Sequence, residues 1–414
     1  MKFINDYSLY NVILWKRDGS FVRYQLFFLS LDFLDIVDDY DYVLFLKFDF
    51  PSDISDPNIN DLMARLQNLY DYKGTGLFII LTNRREAPIY NERVDEYVYS
   101  FSCEFSIFKD LIRRISRKSF QQNHFLFDLL DYMLIEQTKI NQIIVRQLPL
   151  GTEERITTNS CNVIIPHKGE NSYLVGLLYF LKKINLINIF IGLDQPVDDL
   201  LAQYNDANDD TNLFSFNPNP VGPYVIRNKL IEESEGDLMF FQDSDDIPCA
   251  DRFDRISDYM ITTGCELCGS HELKMDYYSK TVIAIRYPID VKSSLEVTPG
   301  HSLLHPSSAI TREAFYLCDR LSEERIFAND TKFLYHSFFR LHTIQNFDEF
   351  LYIRRVRPGS LTTMPGIQLG SPARRWLLSE FNKDFNLIKS GKLKIEQSSL
   401  RYVGPRFKYT ARKL

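Results

Sequence analysis

An excess of basic charge is the first thing this chain lacks: 48 Lys and Arg stand against 55 Asp and Glu, a formal net charge of −7. No global positive field is available to recruit nucleic acid. Glycine and proline are scarce, 17 of each in 414 residues, which excludes collagen-like and low-complexity chains. No stretch reaches the ~18 uninterrupted apolar residues that cross a bilayer; the best candidate, 173–193, is broken by Lys182 and Lys183. The opening residues, Met1-Lys2-Phe3-Ile4-Asn5-Asp6-Tyr7, lack the apolar core and cleavage site of a signal peptide. A cytoplasmic location is expected, with at most a peripheral position on the inner face of a membrane. The six cysteines are scattered, as in a reducing compartment. Cys265 and Cys268 have CxxC spacing and His271 follows, but a tetrahedral zinc site needs four ligands and no second pair lies near. Two buried cysteines on a strand are expected instead.

What the chain has is aromatic bulk, 32 Phe and 24 Tyr, within an ordinary globular balance of 45% hydrophobic and 25% charged residues. At ~150 residues per domain, two to three domains are expected. Residues 11–15, 42–48 and 76–82 are short apolar runs that read as buried parallel strands. Leu62, Leu66 and Leu69 recur at helical spacing within 61–70, and 107–115 and 125–140 read as two further amphipathic helices. These make residues 1–150 a small α/β domain whose role the sequence does not disclose. The polar segment 150–160 marks a boundary. Beyond it strands at 161–165, 187–191, 212–216 and 237–241 alternate with helices at 172–183 (Ser172 as N-cap), 198–204 and 223–234. That alternation points to a mostly parallel sheet, with ligands beyond the carboxyl ends of its strands. The remainder, 364–414, holds a helix at 374–388 and a basic tail, 401–414, with five basic residues and no acid. A solvated tail, a flap over a phosphorylated donor and an attraction to anionic lipid are all compatible with that composition.

The chemistry concentrates where the fourth of these strands ends, in Gln242-Asp243-Ser244-Asp245-Asp246. Three carboxylates in four residues repel one another unless compensated. Extended backbone sends Asp243 and Asp245 to one side, where a divalent cation such as Mg2+ or Mn2+ would be shared between carboxylates and substrate phosphate oxygens. The plainer alternative is a solvated turn with Asp246 capping the next helix.

Taken with Val163-Ile-Ile-Pro-His-Lys-Gly-Glu170, Asn188-Ile-Phe-Ile-Gly-Leu-Asp194, Val225-Ile-Arg-Asn228 and Ala328-Asn-Asp-Thr331, this segment falls in the order seen in family-two glycosyltransferases of the GT-A fold. The chain resembles that family over about residues 161–363. Arg354-Arg-Val-Arg-Pro-Gly-Ser-Leu-Thr362 is similar to the basic loop that often closes the domain. There are departures: His167, Lys168 and Glu170 follow Pro166 where the family has a small polar residue and an acid. Only Asp194 remains of two adjacent aspartates, and Asn329-Asp330 replaces a Glu-Asp pair.

The resemblance implies a GT-A α/β fold and a nucleotide-diphospho sugar donor, with uridine diphosphate the family's frequent carrier. Donor contacts then fall to Pro166, His167, Glu170, Asp194, Arg227, Asp243, Ser244, Arg354, Arg357 and Ser360. Metal contacts fall to Asp243, Asp245 and His336, acceptor contact to His305, and the general base to Asp330. An acceptor hydroxyl is a poor nucleophile near neutral pH, so a carboxylate must take its proton; a single base opposite the leaving group inverts the anomeric configuration. The helix-starting role of Asn329 or Asp330 is compatible with that. The expected function is an inverting, metal-dependent transferase acting on a glycan, lipid-linked or protein acceptor. The rivals are an inactive binding or assembly subunit of the same fold and a phosphoryl-transfer enzyme. The latter normally carries a Gly-rich loop after its first strand, and Pro166-His-Lys-Gly-Glu170 has a single Gly.

Overall fold

The computed structural model describes residues 10–18, 20–26, 40–47, 56–73, 77–83, 86–89, 94–98, 100–104, 108, 124–136, 142–148, 150, 160–184, 187–196, 211–218 and 220–414. The helix expected at 198–204, nearly all of that expected at 107–115 and most of the boundary segment lie outside the described residues. The chain divides into two compact units. The first comprises 1–86, 96–155 and 274–284, and the second 87–95, 156–273 and 285–414.

In the first unit the elements run β1 (Tyr10–Trp15), β2 (Phe21–Leu26), β3 (Tyr42–Lys47), α1 (Asp56–Lys73), β4 (Leu77–Asn83), β5 (Val94–Tyr97, across the division), β6 (Ser100–Glu104), α2 (Phe125–Glu136) and β7 (Gln142–Leu148). The sheet order is β2-β1-β3-β6-β4-β7. The apolar runs do form strands, but only β4 and β7 pair in parallel; the other pairings are antiparallel. A run buried on both faces records its burial, not its direction. Leu62, Leu66 and Leu69 of α1 are buried as their spacing requires, and stacked rings of Phe45, Phe101 and Phe78 (centroids 5.1 and 5.2 Å apart) knit the strands together.

The second unit runs β8 (Cys161–His167), α3 (Asn171–Leu181), β9 (Ile187–Leu193), β10 (Thr211–Asn217), α4 (Pro223–Glu233), β11 (Leu238–Phe241), β12 (Ile247–Pro248), α5 (Arg252–Thr263), β13 (Leu267–Asp276), β14 (Thr281–Arg286), α6 (Val291–Val297), β15 (Ala309–Thr311), α7 (Arg312–Leu317), α8 (Asn329–Arg340), β16 (Ile344–Val356), α9 (Pro372–Lys389) and β17 (Thr410–Lys413). The tip of the β13–β14 hairpin, 274–284, clusters with the first unit. Ser172 lies inside α3 rather than capping it; the cap position is Glu170.

The sheet path is β12-β16-β13-β15-β11-β8-β9-β10-β17. Its centre is parallel, β11 with β8, β8 with β9 and β9 with β10. The pairings of β12 with β16, β13 with β15, β11 with β15 and β10 with β17 are antiparallel. The architecture is thus α/β with helices against a mixed sheet. Beside it α4, α7, α8 and α9 pack Ile226, Ile231, Phe315, Phe333, Phe381 and Phe385 against Ile164, Phe190, Phe214 and Phe241. Close approach of α4 to β9 requires Gly192, where an added Cβ would collide with Ile226. Cys265 and Cys268 are buried and free, the second on β13.

The basic tail is solvent-facing but partly structured: its residues 410–413 form β17 and extend the sheet beyond β10, Phe214 facing Lys413 and Asn217 facing Thr410. No helix among the described residues is long and apolar enough to cross a membrane.

Candidate functional site

Three parallel strands end side by side, and their exits build one site. β11 runs into the acidic segment, β8 into Lys168-Gly169-Glu170, and β9 into Asp194. The acidic segment is a turn, not extended chain: the Asp246 N–H donates to the Asp243 carbonyl at 3.2 Å. Turning gathers all three carboxylates, one oxygen of each lying within 4.8 Å of the others, and among the described residues no other cluster of metal-competent side chains forms.

Asp246 does not cap the next helix. It is buried, accepts from the Arg355 N–H at 2.7 Å and the Tyr352 hydroxyl at 2.9 Å, and so ties the turn to β16. From below, fully buried Arg252 donates to Gln242 Oε1 (2.6 Å), the Phe241 carbonyl (2.8 Å) and the Pro306 carbonyl (3.1 Å). Gln242 in turn donates to the carbonyls of Asp243 (2.9 Å) and Asp246 (3.2 Å). Desolvation pulls Arg252 down to about 10, which leaves it cationic at neutral pH beneath the turn.

Crowding shows in the titration of the acids. Burial, then the charges of Asp245 and Asp243, push Asp246 well above the ordinary carboxylate range. Burial, with Asp245 and Asp330 nearby, also raises Asp243 against the pull of Arg227. Arg227 forms an ion pair with Asp243, and Arg357 Nη2 lies 2.8 Å from Asp245 Oδ2. The guanidinium groups of Arg355 and Arg357 lie 4.5 and 4.4 Å from the centre of the Tyr173 ring. Donor set and spacing suit a hard divalent cation, whose charge would relieve this repulsion.

A cleft of about 440 Å³ opens above the turn. The structure brings to its wall Pro166, His167, Asp194, Arg227, Asp243, Ser244, Asp245, His305, Asp330, Arg354, Arg357 and Ser360. Several are already committed. His167 Nε2 meets Asn171 Oδ1 at 2.8 Å and Nδ1 meets Ser244 Oγ at 2.8 Å. Because Asn171 Oδ1 also accepts from Gln195 at 2.9 Å, the network assigns the ring proton to Nε2, leaving Nδ1 to accept from Ser244. Asp194 accepts the N–H groups of Val221 (2.5 Å) and Gly222 (3.1 Å), and so fastens the start of α4. Burial raises its carboxyl. Gly222 has φ of 93°, and an added Cβ would press on Ile326. The Arg354 guanidinium forms a fork on Glu272 at 2.6 and 3.0 Å.

Two expected residues are not brought to the cleft. His336 is buried on α8, with Nδ1 3.0 Å from the Leu400 carbonyl and Nε2 3.5 Å from Asp319, so it does not join the acidic turn as a ligand. Its helical phase turns it toward the segment after α9. Glu170 does not line the cleft; it sits exposed before α3 and accepts from Ser172 at 3.0 Å.

Across the cleft, Asp330 occupies the first turn of α8 and accepts from Tyr224 Oη at 3.3 Å. Asn329 anchors that helix start, donating to the carbonyls of Ser322 (2.6 Å) and Arg325 (3.0 Å). Burial opposes ionisation of Asp330, but His305, the Thr331 N–H, His301 and Arg374 outweigh it and hold the carboxyl below its ordinary range. His305 itself is pushed down to about 3 by burial and by Arg227. At neutral pH its ring carries no charge, and the groups then left to favour the carboxylate are the Thr331 N–H, His301 and Arg374. His305 stacks on Phe241 with centroids 4.2 Å apart, and its Nε2 is buried with no hydrogen-bond partner.

Sequence reasoning missed Tyr224, Arg355, Phe327 and Arg374 as cleft residues. Arg374, over the Phe327 ring at 5.1 Å, donates to the Leu361 carbonyl at 3.1 Å and so ties the basic loop to α9. The signal for Arg355 was present in the alternation of β16, which sends Arg354 toward Glu272 and its neighbour toward the Asp245 carbonyl. Tyr224, beside Pro223 and Arg227, carried no comparable mark.

No protein-family model and no curated protein matches this chain. Among solved structures it is similar to S. aureus TarS 1–349 in complex with UDP-GlcNAc, with a TM-score of 0.43 and 17% identity over 57% of this chain and 77% of that one. It is also similar to the mannosyltransferase PcManGT from Pyrobaculum calidifontis in complex with GDP-Man and Mn2+, with a TM-score of 0.41 and 12% identity over 70% and 76% of the two chains.

Proposed function

We propose that the second unit is an inverting glycosyltransferase that takes a sugar from a nucleotide-diphospho donor, with uridine diphosphate sugars the first to test. The observation that carries the reading is the presence of two separate acidic centres on the wall of one cleft. One is a crowded triad at the carboxyl ends of parallel strands, the other a single carboxylate on a helix start.

Asp243, Asp245 and Asp246 would hold a divalent cation, Mn2+ or Mg2+, which would supply Lewis-acid neutralisation of the departing diphosphate. Arg227 and Arg357, now paired with Asp243 and Asp245, are fork-shaped donors on the cleft wall. Each exchanges a carboxylate for phosphate oxygens when the donor enters. Asp330 accepts the proton of the acceptor hydroxyl as that oxygen attacks the anomeric carbon opposite the diphosphate. The proton moves to the carboxylate, the C–O bond to the new oxygen forms, and the bond to the diphosphate breaks in one displacement. Neutral His305, on the cleft wall with Asp330, is the proposed acceptor contact. The acceptor class is a hydroxyl of a glycan, a lipid-linked sugar or a protein, and surface polysaccharide or glycoconjugate synthesis is the proposed setting.

The test is a panel of nucleotide sugars incubated with the protein and Mn2+, read as slow release of nucleoside diphosphate, which needs no known acceptor. Metal-dependent release with one donor supports the reading. No binding of any nucleotide diphosphate with Mn2+ present would refute it; binding without turnover, even when acceptors are supplied, would leave the inactive-subunit reading in its place.

A further inference from the structure

Each carboxylate of the acidic turn already has a cation or donors from its own chain. Asp246 is tied to the Arg355 N–H and the Tyr352 hydroxyl, and Asp243 to Arg227. Asp245 is held by Arg357, whose Nη2 and Nε lie 2.8 and 2.9 Å from the same oxygen, Oδ2. These two side chains are 14% and 20% exposed, so water screens the pair weakly. A divalent cation placed on Asp245 would meet that guanidinium as a like charge at close range.

The arginines of the cleft differ in what else holds them. Arg354 is forked on buried Glu272, and Arg355 donates to the Asp245 carbonyl. Arg357, among the described residues, is paired with no acid but Asp245, and its Nη1 donates to the Pro358 carbonyl at 3.3 Å. It is therefore the cation that a better anion can take away. What keeps it in place is a ring. Arg355 and Arg357, two residues apart, leave the same face at the end of β16. Both guanidinium groups lie against Tyr173 in the first turn of α3, 4.5 and 4.4 Å from the ring centre. Tyr173 is half-buried and does not itself line the cleft.

We infer that Tyr173 is a positioning residue for Arg357, and that the two keep Asp245 closed to a bare divalent cation until a diphosphate draws the guanidinium off. The inference rests on the functional reading in taking the acidic turn for a cation site. Diphosphate oxygens match the guanidinium fork better than one carboxylate oxygen does, and a cation arriving with them replaces the charge that Asp245 loses. Metal and diphosphate then bind cooperatively, each tightening the other by the same factor.

Bound Mn2+ is measured on the full-length protein by equilibrium dialysis, against free aquo Mn2+ read by electron paramagnetic resonance, with and without inorganic diphosphate. Wild type should bind bare Mn2+ weakly, and about ten-fold more tightly with diphosphate present. Arg357→Gln should bind bare Mn2+ about ten-fold more tightly than wild type, the worth of one charge-assisted hydrogen bond taken from a competitor. It should also lose most of the gain from diphosphate. Tyr173→Leu should shift bare Mn2+ binding the same way by about three-fold, the worth of one cation–π contact, while Tyr173→Phe keeps wild-type behaviour. A residue that merely supports the fold would weaken metal binding when replaced, so the sign of the change separates the two roles. Equal affinity of wild type for Mn2+ with and without diphosphate, no tightening in Arg357→Gln, or no difference between Tyr173→Leu and Tyr173→Phe would each overturn the proposal and leave the cation site standing. No Mn2+ bound by any form, even with diphosphate, would refute the functional reading and this inference with it.

Discussion

Asp330→Asn is the sharpest test of the site. The substitution is nearly isosteric and keeps an oxygen for the Tyr224 hydroxyl, now 3.3 Å away. It removes a negative charge from the first turn of α8, which costs about 0.3–1 kcal/mol at a helix start. The fold and the acidic turn on the far side of the cleft should therefore persist. What is lost is the proton acceptor. General-base catalysis contributes roughly 10²–10⁴-fold, so transfer should fall by that factor, about 3–5 kcal/mol of transition-state stabilisation. Nucleoside diphosphate release in the presence of acceptor measures the rate, and calorimetric titration with nucleoside diphosphate and Mn2+ measures donor binding. Unchanged binding with a rate down at least a hundred-fold is expected. A variant that transfers sugar at the normal rate would remove Asp330 from the chemistry, whatever its effect on stability.

Asp245→Ala should weaken metal-dependent nucleotide binding by more than ten-fold in the same titration, with little effect on binding measured in EDTA. Because burial and mutual repulsion raise Asp243 and Asp246, the native state holds protons there that the unfolded chain releases at lower pH. Their ionisation therefore costs stability as pH rises from the ordinary carboxylate range through the raised values. Protons and cation compete for the same oxygens, so the rise in Tm on adding Mn2+ should be larger at pH 8 than at pH 5; an equal rise at both would refute the assignment. Asp194→Ala leaves the Val221 and Gly222 N–H groups unpaired, and a loss of about 2–4 kcal/mol in denaturant unfolding is expected. Gly192→Ala drives a methyl into Ile226 and should cost about 1–3 kcal/mol by overpacking.

Much of this site was legible because its signals are local. An apolar strand that ends in Gln-Asp-Ser-Asp-Asp announces itself, and the run from Pro223 to Arg227 reads as a helix start. Less visible was anything set by partners distant in sequence. Asp194 looks like a ligand-binding acid and is held by two backbone N–H groups of another segment. His336 offers an imidazole on an apolar helix, but the phase of α8 delivers it to the Leu400 carbonyl. The strand Thr410–Lys413 is polar and exposed, so no alternation marks it; the open side of β10 makes it a strand. In the first unit, apolar runs revealed strands but not direction, since a doubly buried strand carries the same composition whichever way its neighbour runs.

That last pairing sets a schedule. Asn217 and Thr410 meet across 193 positions of chain, a separation at which loop closure is slow. Until the late segment is made and threaded alongside, β10 offers a bare row of amide and carbonyl groups to any passing strand. The interval between making β10 and covering it is therefore one in which the newborn protein exposes an edge to its own copies.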